Sequence, residues 1–158
     1  MRDAFRGALA GAAAVWLMDL VTTALLDAQP RAVTEREEAA RPDGKPAIDN
    51  LVARLEAAYE VKLTDEQRDG LVQLIHFGLG VFPGALYGLL RSRVPLLGAG
   101  NGALYGMLLF LVNDEYVNSR LGLSAPFGAY PIETHFRGLV GHLALGVATD
   151  TGIELLGG

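Results

Sequence analysis

GALAGAAAVWLMDLVTTALL, residues Gly7–Leu26, holds a single charge, Asp19, in an otherwise apolar run. About 20 such residues, wound as a helix, span the roughly 30 Å hydrocarbon core of a bilayer. Whether this stretch meets lipid or protein therefore decides the fold. Three further stretches repeat its character. Gly70–Leu90 reads GLVQLIHFGLGVFPGALYGLL, and Val94–Asn113 reads VPLLGAGNGALYGMLLFLVN. Pro131–Leu156 is longer and more polar, with Glu133, His135, Arg137, His142, Asp150 and Glu154. The first three fit the length of a span, and the fourth fits it less well.

Composition narrows the choice. The chain has 158 residues, 51% hydrophobic and 20% charged, with a mean hydropathy of +0.28, which points to one ordered domain. Cys is absent, so there is no disulfide framework, thiolate zinc site or thiol nucleophile. A net charge of −5 supplies no basic stripe for nucleic acid. The 20 glycines are the informative number, because each costs about 1 kcal/mol against Ala in a water-exposed helix. Many fall at a period of four, at 7/11, 80/84/88 and 98/102/106, which lines one helix face for small-xxx-small packing in membranes. Long buried helices of a soluble protein are the alternative, and the glycine spacing disfavours it. GALxG occurs at Gly7, Gly84 and Gly102. Similar packing explains this word more simply than an inverted repeat does.

The reading is an all-α protein: a four-helix transmembrane bundle with one extramembrane amphipathic helix between spans 1 and 2. The spans lie at about 4–26, 66–91, 95–115 and 131–156, with a polar segment at 27–65. Within that segment, Gln29–Pro46 reads as charged loop with Pro/Gly turns. Ile48, Leu51, Val52, Leu55 and Tyr59 then recur at helical spacing opposite Asp49, Arg54, Glu56 and Glu60, a helix suited to capping the mouth of the bundle. Thr64-Asp65-Glu66-Gln67 matches a capping box, so the second span starts near Asp65. Pro95 ends it near Arg91–Arg93, giving a tight hairpin into the third span. Arg120–Tyr130 reads as a loop, and Pro131 suits the first turn of the fourth helix. Arg2, Arg6, Arg91 and Arg93 fall on one side and place both termini in the cytoplasm. Asp19 and the lack of an A-x-A site favour a retained first helix over a cleaved signal peptide.

Ionisable residues inside spans are costly and mark candidate sites. At 1.5 Å per residue, Asp19 lies ~18 Å above Gly7 and His76 ~21 Å above Leu90. Asp114 lies ~24 Å above Gly98, and His142 ~21 Å above Leu156. All four share one level, and steps of four place each on a glycine-bearing face. This buried polar layer has three readings. Its members hydrogen-bond across helices and fix the register, at about 0.6–2 kcal/mol each. Alternatively they relay protons or ions, since imidazole changes charge near neutral pH. Asp150 and Glu154 would then continue the path inward, with Glu133 and His135 at the outer mouth. The third reading is haem or a divalent metal held by His76 and His142, assisted by Asp19 or Asp114. His135 and His142 lie ~10 Å apart along one helix and cannot share a zinc ion. Glu133 and Arg137 form an i,i+4 pair. No GxSxG, Walker A or strand-bound GxGxxG motif is present.

The second half resembles the YagU-like family of small bacterial inner-membrane proteins. The resemblance rests on His76, Gly80, Tyr87 and Gly88, then Gly98 and Gly102, Gly122-Leu123 and Pro126, Glu133, and Gly141-His142-Leu143. It covers roughly residues 71–156 and implies a four-helix inner-membrane protein, with no molecular activity attached. The expected function is proton or ion conduction, sensing, or small-ligand binding through the polar layer. The alternative is a structural or accessory subunit whose glycine faces dock another membrane protein. The expected partners are the lipid bilayer and a second copy or a membrane-protein partner.

Overall fold

Thr64 opens the longest polar-to-apolar helix as its local sequence requires. In the computed structural model, which describes residues 1–157, the Thr64 hydroxyl accepts from the Gln67 amide at 3.3 Å. The Gln67 side chain in turn accepts from the Thr64 amide at 3.0 Å. The long helices are α1 (Arg2–Asp27), α4 (Asp65–Leu90) and α7 (Ile132–Leu155). Between the first two lie α2 (Arg31–Ala40) and α3 (Ala47–Ala58). The third long unit is composite: α5 (Ala103–Leu109), a π-helix (Phe110–Val117) and α6 (Asn118–Arg120), wound without a break. The protein is all-helical, with no strand among the described residues.

Glycine decides how these helices meet. A Cβ built on Gly84 would strike the Gly7 carbonyl and lie 3.0 Å from the Gly11 Cα, and one on Gly88 would lie 3.2 Å from the Gly7 Cα. Gly11 meets Gly80 and Gly84 in the same way, so α1 and α4 run antiparallel with their backbones touching. A second seam joins α5 to α7, where a Cβ on Gly146 would sit 2.9 Å from the Gly106 Cα. Gly141 against Thr22 and Gly152 against Ala10 then pack α7 along α1. The order in space is α4, α1, α7, α5. The ends of this series, α4 and α5, make no extended packing among the described residues. They meet where Tyr87 and Tyr105 stack with centroids 4.3 Å apart. Around that stack Ala10, Ala14, Val15, Leu145 and Ile153 complete the core.

Large apolar side chains point outward instead. Trp16, Leu74, Phe82, Val112 and Phe136 are more than half exposed, and Phe82 reaches 76%. Two helices, α1 and α4, are long and apolar enough to cross a membrane.

Three local expectations fail. The third span is not helical from Val94. Pro95–Gly98 is a single 3-10 turn, and positive φ at Gly100, Asn101 and Gly102 delays the helix to Ala103. Gly98 therefore shares no helical face with Gly102 and Gly106. The charged stretch within Gln29–Pro46 is not a loop but contains α2, because Glu37 is buried against Arg41 and Arg137. Arg137 is spent on that contact, so the Glu133–Arg137 pair does not form.

The seam predicts opposite outcomes for two glycines of α4. Gly84→Leu should lower the thermal midpoint of the purified protein by the cost of overpacking, about 1–3 kcal/mol or more. Gly70→Ala, whose Cβ meets nothing within 4 Å, should gain up to about 1 kcal/mol. Equal effects at both positions would rule out the close-approach account.

Candidate functional site

Four helices deliver one titratable side chain each to a common cavity of about 520 Å³. From α1 comes Asp19 and from α4 His76, whose Nε2 lies 2.9 and 3.0 Å from the two Asp19 carboxylate oxygens. An Nε2–H donating between both oxygens satisfies this geometry. From the π-helix comes Asp114, which accepts from the Asn113 amide at 2.8 Å. From α7 comes His142, whose Nδ1 donates to the Gly138 carbonyl at 2.9 Å and stands 3.7 Å from the Asp114 carboxylate. Asp49, at the start of α3, adds a further carboxylate to the lining.

The π-helix is what aims the third helix. Leu109, Asn113, Asp114 and Asn118 all line the cavity, at separations of four to five residues. The steps of four suit an α turn, and the steps of five, Leu109 to Asp114 and Asn113 to Asn118, follow the wider i→i+5 winding. Asp114 thus reaches the cavity although Gly98, the proposed start of its glycine face, is off the helix. The inner end of the cavity is apolar, where Val15 and Leu145 lead into the Tyr87–Tyr105 core.

No protein-family model, curated protein or solved structure matches the chain.

The remaining candidates lie elsewhere. Asp150 and Glu154 are not in this cavity. Asp150 is buried beyond the aromatic stack, accepting from the Tyr87 hydroxyl at 2.6 Å and facing Arg91 Nε at 3.2 Å. Glu154 is exposed and lies 3.4 Å from the same guanidinium. His135 is buried at the opposite end, with Nδ1 2.5 Å from Glu115 and Nε2 3.0 Å from the Phe127 carbonyl. It lines a second, adjoining cavity of about 250 Å³ together with Glu37, Glu115 and Arg137. Glu133 is exposed on the first turn of α7 and lines neither cavity.

The metal reading finds no support in the geometry. No group of three or more His, Asp or Glu side chains converges to hold an ion among the described residues, since His76 and His142 each face a separate carboxylate. Sequence reasoning missed Asp49, Asn113 and Asn118. It also missed the role of Glu37, a side chain only 3% exposed.

Glu37 ties α2 to the bundle. It accepts from Arg137 Nη2 at 2.7 Å, from Arg41 at 2.9 Å and from the Thr134 hydroxyl at 3.0 Å. Burial works to raise its carboxyl pKa, but the hydrogen bonds and charge of Arg137, with Arg41 and Thr134, outweigh that and hold it below the ordinary 4.5. A lowered carboxyl pKa contributes stability that is complete above the unfolded value and lost as pH falls through the folded one. Hydrogen exchange across residues 31–46 should therefore accelerate at acid pH, after correction for intrinsic rates. Glu37→Gln should produce the same loosening at neutral pH and cost about 3 kcal/mol, the penalty for breaking a buried pair. An acid-insensitive exchange pattern would show that the pair does not hold α2.

Proposed function

We propose that this chain is a four-span protein of the inner membrane that binds a small molecule in the Asp/His cavity and senses it, or the proton, through the two His–carboxylate pairs. Large apolar side chains face outward on all four long units, whereas glycines, histidines and Asp150 face inward. Such an arrangement suits lipid as the outer solvent. The third unit winds continuously from Ala103 to Arg120, about 27 Å at 1.5 Å per residue, close to the core thickness of a bilayer. In α7, His142 and Asp150 are buried, so much of its polarity would never meet lipid. The positive charges of Arg2, Arg6, Arg91 and Arg93 support an orientation with both termini in the cytoplasm and the cavity toward the outer face. The likeness to the YagU-like inner-membrane proteins belongs to this same reading.

One observation carries the choice of binding over conduction. The two pairs converge on a cavity whose inner end is closed by Val15, Leu145 and the tyrosine stack, with Asp150 on the far side. A through-path for protons would need a polar chain across Val15 and Leu145 to reach the tyrosine hydroxyls. The glycine faces that would dock a partner pack against each other within the chain, which favours the binding reading over the accessory one.

The absence of Cys makes labelling clean. In spheroplasts, Ala39→Cys should react with an impermeant maleimide, and Ser92→Cys only after permeabilisation. The reverse pattern would invert the orientation, and reaction of both before lysis would end the four-span reading. Proteoliposomes under a pH gradient should pass protons no faster than empty vesicles. Flux abolished by His76→Ala or His142→Ala would replace the binding site with a relay.

A further inference from the structure

The lining of the cavity restricts the chemistry of its ligand, given the reading of the cavity as a binding site on which this inference rests. Its charged groups are Asp19, Asp49, Asp114, His76 and His142, and no Lys or Arg lines it among the described residues. With three carboxylates against two imidazoles, the wall stays negative even when both rings carry a proton. A cation fits and an anion does not.

His142 refines this. It is 6% exposed, and its Nδ1–H is committed to the Gly138 carbonyl. The neutral ring then presents Nε2 as an acceptor, and no partner reaches that atom among the described residues. An acceptor left open in this way can take a hydrogen bond from a ligand N–H. Pro83 lacks an N–H and so withholds from the Leu79 carbonyl the donor of an unbroken helix, and both residues line the cavity.

Shape and access supply the rest. Val15, Leu79, Leu109 and Leu145 give the wall an apolar stretch beside the amides Gln73, Asn113 and Asn118, and about 520 Å³ is in the range of small-molecule sites. Leu79 and Gln73 line the cavity and are also exposed outside, on the side where α4 and the third unit do not pack. No Phe, Tyr or Trp lines it, so a quaternary ammonium, which has no N–H and is held by aromatic faces, is not matched.

We propose that the cavity binds a small amphipathic primary amine, with its ammonium at the Asp114–His142 pair and its apolar body against Leu79, Leu109 and Leu145, entering between α4 and the third unit.

The test uses the full chain in neutral detergent at pH 7.5, with hexylamine, hexanol, hexanoate and hexyltrimethylammonium titrated by calorimetry. Hexylamine should bind saturably, and Val72→Trp, which fills the cavity, should abolish the binding. Asp114→Asn should weaken it about tenfold to a hundredfold, as expected for loss of a charge-assisted hydrogen bond, whereas Asp27→Asn at the surface should leave it unchanged. If Asp114→Asn does not fold, His142→Phe reads the same contact, with its thermal midpoint as the folding control. Hexanol, hexanoate or the quaternary ion binding as tightly as hexylamine, and lost in Val72→Trp, would overturn the amine assignment and leave the cavity a ligand site. Amine binding that survives substitution at both Asp114 and His142 would overturn its placement. No saturable binding of any probe would overturn both the amine and the ligand-site reading.

Discussion

Backbone-to-backbone contact at glycine is the constraint on which the rest of this structure depends. Where Gly7 and Gly11 meet Gly80, Gly84 and Gly88, backbone lies against backbone, with the Val15 side chain also resting on Gly80. The Gly102, Gly106 and Gly146 contact repeats this between α5 and α7. Close approach yields dispersion contact and is the main source of helix association where surrounding lipid is as apolar as the interface. It also fixes the geometry further along. Helices pinned at one end by glycine are spaced there by their backbones, and the larger residues Leu79, Met18 and Leu109 around the other end border a cavity.

Polar groups occupy the space this architecture creates, and most do so in pairs. Asp19 faces His76, Asp114 faces His142, Glu115 faces His135, and Glu37 faces Arg137. Each pairing joins segments distant in sequence. Desolvating a charge is expensive unless a partner and hydrogen bonds offset it, and this applies most to Glu37, which is buried against Arg137. The pairs link helices across the bundle, while the seams and the aromatic core supply contact. Asp150 follows the same rule with Tyr87 and Arg91.

How much of this was legible in the chain differs by element. The capping box at Thr64 and the amphipathic spacing from Ile48 are local signals, and α4 and α3 begin where they indicate. The glycine period in α1 and α4 and the shared level of Asp19 and His76 were also readable, because both depend only on the regularity of an α-helix. Helix α2 was hidden because its sequence is polar on nearly every side. Its order comes from Arg137, which lies about a hundred residues away. The start of the third helix was misplaced because Gly100, Asn101 and Gly102 adopt positive φ, a choice glycine permits without declaring it. The π winding left no local trace either. Asn113 and Asn118, five residues apart, share the cavity wall, a spacing that an α-helical pattern does not assume.

That wide turn has a mechanical side. A π-helix holds more residues per turn than the α-helix that flanks it, so the segment Phe110–Val117 stores slack in its winding. Rewinding it by one residue would rotate the downstream part of the helix by about 100° around the axis. Asp114 and Glu115 are neighbours on this segment, yet one faces His142 and the other His135, in adjoining chambers. The segment thus borders both chambers, and a rewinding of its turn would move both acidic contacts together.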